Sequence, residues 1–461
     1  MNPFRSAAET AAAVGAGHVT ASVVLAECLD RIDRLNPVLN AFTAVTADRA
    51  RARAAAIDAP GAKPGPLAGV PFAVKNLIDV AGLPTLAGSK INRDHPPATA
   101  DAPLITRLES AGAILVGALN MGEYAYDFTG ENAHHGPSRN PHDTTRMTGG
   151  SSGGSGGAVG GGLVPLTLGS DTNGSIRVPA SFCGLFGLKP TYGRLTRAGS
   201  FAFVSSLDHL GPLARSVTDL AIAYDAMQGH DPTDPVCTDR PADPAAGSIH
   251  QGIGGFRIAV AGGYFQAGAS TEALAALNAA AAALDASDIV TIPDARRARS
   301  AAYIISTTEG AGLHLTRLRT RPQDFDADVR YRLIAGALVP AAAVVQAQKF
   351  RRWYRDQVLT LFQHVDAILA PATPTVAPLI GQKSIVLDGQ EMPLRPNIGI
   401  YTQPISFIGL PVVAVPIPTA SGLPIGVQII TAPWREDVAL RIARGLEARG
   451  VARAPTSKLE A

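Results

Sequence analysis

"GGSSGGSGGAVGGGLVPLTLGSDTNGSIRVP", residues 149–179, sets two serine-bearing turns around one apolar run. Nine of its first fourteen residues are glycine, a density usual in flexible linkers. A linker does not pass straight into a buried strand, and 163–168, LVPLTL, reads as one. A phosphate cradle of the P-loop kind needs a Gly-Lys-Ser/Thr step, and no lysine lies between Gly149 and Leu188. The third reading is catalytic. Glycine permits φ > 0 and close backbone approach, so successive N–H groups of DTNGS, 171–175, can surround the Ser175 hydroxyl. Such a turn joins a nucleophile to an oxyanion hole.

A serine nucleophile needs a base. The histidines lie in unpromising contexts such as the polar pair His134-His135, and no GxSxG elbow has its partners in the usual order. Lysine is the other candidate, because a buried amine can be driven neutral whereas arginine cannot. The chain uses lysine seven times, and Lys75 alone is read as following a strand-like run, GVPFAVK, that could carry it inward. Taken singly, Lys75 reads as a snorkelling or surface lysine slightly more often than as a catalytic one.

The wider composition is neutral about chemistry but excludes several classes. In 461 residues, 46% hydrophobic, 40 Lys+Arg against 38 Asp+Glu leave a formal charge of +2, with no basic block suited to nucleic acid. Cys28, Cys183 and Cys237 are too scattered for a disulfide framework or a zinc pattern. No run of eighteen apolar residues and no signal peptide are visible, and the SKL of 457–459 is not terminal, so a cytoplasmic protein without membrane contact is expected.

Residues 5 to about 57 read as helical, with Thr20 a candidate cap and Val23, Val24, Cys28, Ile32 and Leu35 near one stripe. The Pro/Asp/Gly-rich 229–255 reads as a surface connector. RIAVAGGYF followed by STEALAALNAAAAALDAS is a local βα unit, and three later apolar runs bounded by proline and glycine read as strands before a last amphipathic helix near 437–449. Alternating elements imply an α/β fold with helices on both faces of the sheet. Its parts are expected as a helical 1–62, a core 63–228, the connector 229–255, and 256–461 completing sheet and pocket.

With GSDTNGSIRVPASFCGLFGLKPTYGRL after GGSSGGS, and LAGVPFAVKNLIDV about 75 residues upstream, the chain resembles the amidase signature family. The 24-residue serine spacing, Gly-Ser-Ile-Arg-x-Pro and the upstream lysine all agree, and the similarity extends over nearly the whole length. The resemblance implies one large α/β domain, a twisted mixed sheet enclosed by helices, hydrolysing or transferring amides without metal or cofactor. Carried over residue by residue, it makes Ser175 the acylated nucleophile, Ser151 the bridging cis-serine and Lys75 the base. The amides of Thr172, Asn173, Gly174 and Ser175 become the oxyanion hole. Ser152 and Ser155 are then expected as hydrogen-bonding braces, Asp171 and Arg177 as ties holding the loop, and Cys183 as a small core residue.

Two departures stand out. Asn173 occupies a position where many relatives carry glycine, and GGAVGGG is richer in glycine than usual, so that segment must be held by packing or is not regular helix. Within the family, VKNLIDVAGLPTLAGSKINR, SLDHLGPLARSVTDLAIAYDAMQG and RPQDF resemble members acting on small carboxylated urea-type amides. That implies a pocket cation, for which Arg332 rather than Arg330 is the candidate, and a possible small helical accessory subunit or homo-oligomer. Ammonia-supplying amidotransferase subunits, which would bring a nucleic-acid partner, are the nearest rivals, with broad-specificity amidases third.

Overall fold

Short apolar runs bounded by proline and glycine form the strands in the computed structural model, which describes residues 2, 4–63 and 65–459. The first half of the chain gives β1 (Phe42–Val45), β2 (Pro71–Lys75) and β3 (Ile114–Leu119), then a hairpin of β4 (Arg139–Asn140) and β5 (Asp143–Met147). These are followed by β6 (Leu166–Asp171), β7 (Phe186–Lys189) and β8 (His209–Ala214). The second half adds β9 (Ile258–Ala261), β10 (Asp288–Val290), β11 (Ala367–Pro371), and a hairpin of β12 (Ser384–Leu387) and β13 (Gln390–Pro393). Last come β14 (Val412–Ile417) and β15 (Ile425–Thr431).

Eleven strands form one mixed sheet, in the order β1-β3-β2-β6-β8-β7-β14-β15-β11-β9-β10, and the two hairpins stand outside it. β2 runs parallel between β3 and β6, whereas β8 and β7 continue the sheet antiparallel. Every residue of β2, β3 and β6 is buried, which explains why these strands read as continuous apolar runs rather than alternating ones. Alternate side chains feed two separate cores: Phe72, Val74 and Leu115 join one cluster, and Ala73, Ile114 and Val116 the other. The sheet is thus covered on both faces in a single α/β domain, as expected.

The N-terminal region is less uniformly helical than its sequence suggests. Helices Ala7–Gly15, Ala21–Leu39 and Ala47–Asp58 are interrupted by β1. Thr20 does cap the second helix, accepting from the N–H of Val23. Val24, Cys28, Ile32 and Leu35 are buried as the stripe predicts, whereas Val23, one residue earlier and turned about 100° away, is exposed. At its other end Asn40 turns left-handed (φ 49°), and the Asn36 side chain accepts the N–H groups of Ala41 and Phe42 at 2.9 and 2.7 Å. These bonds turn the chain onto the sheet edge, where Phe42 pairs with Leu119. Four residues are too few to show a period, so the strand was invisible in the sequence.

Two boundaries near the quoted stretch also shift. The strand read at 163–168 begins at Leu166 and runs on to Asp171, so it delivers the chain directly into the 172–175 turn. The glycine-rich segment is a regular helix, Gly153–Gly160, with all eight residues buried. It is held by packing: a Cβ at Gly154 would meet the Ala41 carbonyl oxygen and lie 2.6 Å from the Asn120 nitrogen. Residues 229–255 contain no helix or strand. Among the described residues no single helix is long and apolar enough to cross a membrane.

Candidate active site

Lys75 ends β2, and parallel β6 lies beside it in the register Val74↔Leu168. Both strands therefore bring their carboxyl ends to one edge of the sheet, the usual place for ligands in open α/β folds. There the Lys75 Nζ, fully buried, donates to Ser151 Oγ at 2.6 Å and to Ser170 Oγ at 2.8 Å. Burial pushes the Lys75 ammonium down to about 7, against the weaker upward pull of Asp208, Asp171 and Asp127. Near neutral pH a large share of this amine is unprotonated.

Ser151 directly precedes the glycine-rich helix. Its carbonyl accepts from Gly122 N at 3.1 Å, Gly150 N donates to Phe128 O at 2.8 Å, and the Gly150–Ser151 peptide is cis. Ser152 ties this point to the end of β6, its Oγ donating to the Ser170 carbonyl and accepting from the Ser170 N–H, each at 3.2 Å. Ser155 makes a similar brace to the Leu168 carbonyl at 3.1 Å. Ser170 drew no notice in the sequence, yet it is the second hydroxyl on Lys75. Its signal is positional: it lies next to Asp171 at the end of a strand paired with the lysine strand.

The turn 172–175 is held from beneath. Thr172 Oγ1 donates to Asp208 Oδ1 at 2.6 Å, and Thr402 Oγ1 donates to the Asn173 carbonyl at 2.7 Å. Gly174 sits at φ +143°, and a Cβ there would collide with the Thr402 side chain, so only glycine fits. Asp171 accepts from Arg177 Nε at 2.9 Å and Nη2 at 3.0 Å, with both side chains fully buried. Burial works against the Asp171 charge, but Arg177 beside it wins and holds the carboxyl below the usual carboxylate range. Gln428 and the Thr402 carbonyl take the other guanidinium nitrogen. This pair is fully partnered, so it is a tie and not a solvated surface group.

So braced, the turn leaves four consecutive N–H groups, of Thr172, Asn173, Gly174 and Ser175, donating to no other group among the described residues. The Ser175 hydroxyl likewise makes no hydrogen bond among them, and none links it to Ser151. Ser175 lines a cavity of about 270 Å³, together with Thr172, Asn173, Tyr126, Phe203 and Arg332. That volume suits a small molecule. Among the described residues no group of three or more His, Cys, Asp or Glu side chains could hold a metal ion.

Arg332 enters the cavity wall and Arg330 does not. The Arg332 guanidinium lies over the Tyr126 ring, 3.9 Å from its centroid, and donates to the carbonyls of Asp328 and Tyr126. Among the described residues no carboxylate pairs with it. Arg395, also on the wall, differs sharply: Asp127, Asp328 and Glu131 already surround it at 3.2, 3.2 and 3.5 Å. One further expectation is corrected. Lys189 also ends a strand, β7, fully buried, and burial pushes it too down to about 7. Its Nζ donates to the Pro190 carbonyl at 3.1 Å rather than to a serine, so partners and not strand position distinguish the two lysines.

Comparison with known proteins decides the family. The amidase family model matches residues 23–440, most of the chain. The chain belongs to the amidase family. As an amidase it is 54% identical, over 95% of its length and 97% of the other's, to the AtzE subunit of 1-carboxybiuret hydrolase from Pseudomonas sp. (strain ADP). It is also 38% identical, over 95% of each chain, to a glutamyl-tRNA(Gln) amidotransferase subunit of Anaeromyxobacter dehalogenans (strain 2CP-C). Among solved structures, an inhibitor-bound vestigial protein complex bearing on the origins of an s-triazine catabolic enzyme matches with TM-score 0.97 and 53% identity, covering 98% of this amidase and all of that chain. The 6-aminohexanoate cyclic dimer hydrolase, solved with substrate, matches with TM-score 0.87 and 28% identity over the full length of both. The amidase is accordingly an amidohydrolase with the amidase-signature fold.

Proposed function

We propose that this amidase hydrolyses a C–N bond of a small carboxylated urea-type amide, 1-carboxybiuret being the first candidate, through an acyl-enzyme on Ser175. The observation that carries the reading is the buried Lys75 amine on the Ser151 hydroxyl, beside a turn whose amides are unclaimed. Neutral Lys75 accepts the Ser151 proton as Ser151 takes that of Ser175, whose oxygen attacks the amide carbonyl carbon. The four free N–H groups receive the oxyanion that develops; one such donor is typically worth about 3 kcal/mol. Collapse breaks the C–N bond, and the proton returns through Ser151 to the leaving nitrogen, which departs as ammonia. Water then cleaves the ester by the same relay in reverse order.

The similarity to the AtzE protein supports the substrate class, and Arg332 supplies the positive charge a carboxylate would seek. Arg332→Ala is expected to raise KM for a carboxylated amide about tenfold to hundredfold, the worth of one charge-assisted hydrogen bond of about 1.5–3 kcal/mol. With kcat little changed, this is the pattern of lost uniform binding. Steady-state ammonia release would check it, and an unaltered KM removes Arg332 from recognition.

That relative is named as one subunit and the solved relative as a complex, which supports a partner chain for this enzyme, proposed as a small accessory subunit or a further copy in the cytoplasm. The second reading is an amidotransferase subunit, favoured by the 38% identity. Incubating purified protein with 1-carboxybiuret, without tRNA or ATP, separates the two. Ammonia release supports the hydrolase; its absence, with release from glutamine instead, supports the rival.

A further inference from the structure

Two side-chain amides line the cavity, Asn173 and Gln403, and the helix Ala295–Thr320 fixes both. Asn173 turns its NH2 into the fold, Nδ2 donating to Ser306 Oγ on that helix at 2.9 Å. Gln403 is held the other way round. Its Oε1 accepts from Arg299 Nε at 2.9 Å, and Arg299 Nη2 is itself anchored on Asn397 Oδ1 at 2.9 Å and on the Pro396 carbonyl. A guanidinium only donates, so the Gln403 oxygen must face it and the NH2 must face away. Nε2 makes no hydrogen bond among the described residues, yet it retains accessible surface where Gln403 lines the cavity. The preceding residue, Thr402, holds the Asn173 carbonyl at 2.7 Å, so this open donor stands beside the oxyanion turn. Arg332 offers a charge suited to a carboxylate, and Arg395 is already ringed by carboxylates. What Gln403 adds is a neutral donor, suited to a carbonyl oxygen. Because the turn claims the scissile oxygen, the acceptor left for Gln403 is the next oxygen along the substrate.

We propose that Gln403 Nε2, aimed by Arg299, donates a hydrogen bond to a second carbonyl oxygen, on the carbon two bonds from the scissile one, making Gln403 the residue that selects acylureas over alkylureas. The proposal rests on the hydrolase reading above and narrows it. A substrate with a methylene in place of that second carbonyl leaves the donor facing CH2, which penalises it by about tenfold.

A matched pair tests this: malonurate and 3-ureidopropionate each carry a carboxylate and a terminal ureido group, and differ only in C=O against CH2 beside the inner nitrogen. Their kcat/KM values are compared in wild type and Gln403→Met, or their inhibition constants against 1-carboxybiuret where turnover is too slow to follow. Any difference in intrinsic reactivity cancels when the ratio is compared between the two proteins. The acylurea-to-alkylurea ratio is expected to fall about tenfold in Gln403→Met. Should that variant be inactive or misfolded, Gln403→Glu reads the same feature: it keeps an oxygen on Arg299 and puts an acceptor where the donor stood, so the ratio falls at least as far. An unchanged ratio in the readable variant overturns the assignment while leaving the hydrolase reading intact. No ammonia from any of the three compounds with wild-type protein defeats the hydrolase reading and this proposal together.

Discussion

Ser175→Ala is expected to lower turnover by at least about 10⁴-fold, since removing the nucleophile of a relay costs about as much as removing the relay. The same variant should melt where wild type does, within about 0.5 kcal/mol. Both halves follow from one observation: among the described residues the Ser175 hydroxyl makes no hydrogen bond, so deleting it leaves no buried partner unmet. Ser151 contrasts with it, because its oxygen receives the Lys75 proton donor at 2.6 Å and the amine would lose a partner. Ammonia release and thermal melting on one preparation check the pair of outcomes. Turnover surviving in Ser175→Ala would exclude it as the acylated residue.

Lys75→Met is expected to abolish activity and to remove a pH-dependent penalty from the stability of the fold. The native state holds this amine at about 7, whereas the free side chain titrates near 10.5. Between those values the unfolded chain binds a proton that the native chain refuses, so stability falls as pH drops from about 10.5 towards 7, and below 7 the whole penalty is present. At about 1.4 kcal/mol per unit the penalty near neutrality is about 4 kcal/mol. Against its removal, Ser151 Oγ and Ser170 Oγ lose their buried partner, at about 1–3 kcal/mol each, so the two effects largely offset one another at pH 7. Urea unfolding should show the stability of the methionine variant relative to wild type falling by about 4 kcal/mol between pH 7 and pH 10.5. In the wild type the same titration governs rate: kcat/KM should rise with pH through a midpoint near 7, falling about tenfold per unit below it. A rate independent of pH from 5 to 8 would take Lys75 out of the role of base.

The fold class was legible because central strands covered on both faces must be continuous apolar runs, and β2, β3 and β6 are. The turn around Ser175 and the strand before Lys75 drew attention to those two residues, and the family resemblance added Ser151; the structure joins Lys75 to Ser151 by a hydrogen bond and sets Ser175 on the cavity wall. What stayed hidden depends on partners far along the chain. β1 exists because Asn36 and the edge of β3 turn the chain there, not through any period of its own four residues. Lys189 matched the lysine-after-strand pattern as well as Lys75 did, and only its neighbour, a carbonyl instead of a hydroxyl, sets it apart. Thr402 and Ser306 are 229 and 133 residues from Asn173, a distance no local reading spans.

The buried glycine helix limits how this enzyme can be made more heat-tolerant. Exchanging glycine for alanine inside a helix ordinarily gains about 1 kcal/mol, and Gly153–Gly160 offers five such positions. At Gly153 and Gly160 a methyl group would stand 2.7 Å from Thr148 Oγ1 and Pro141 Cγ, and at Gly154 it would strike main chain. Gly157 alone has room, its closest neighbour 3.5 Å away. Gly157→Ala is therefore the one exchange in this helix expected to raise Tm, whereas Gly154→Ala should lower it and pull Ser151 out of alignment with Lys75.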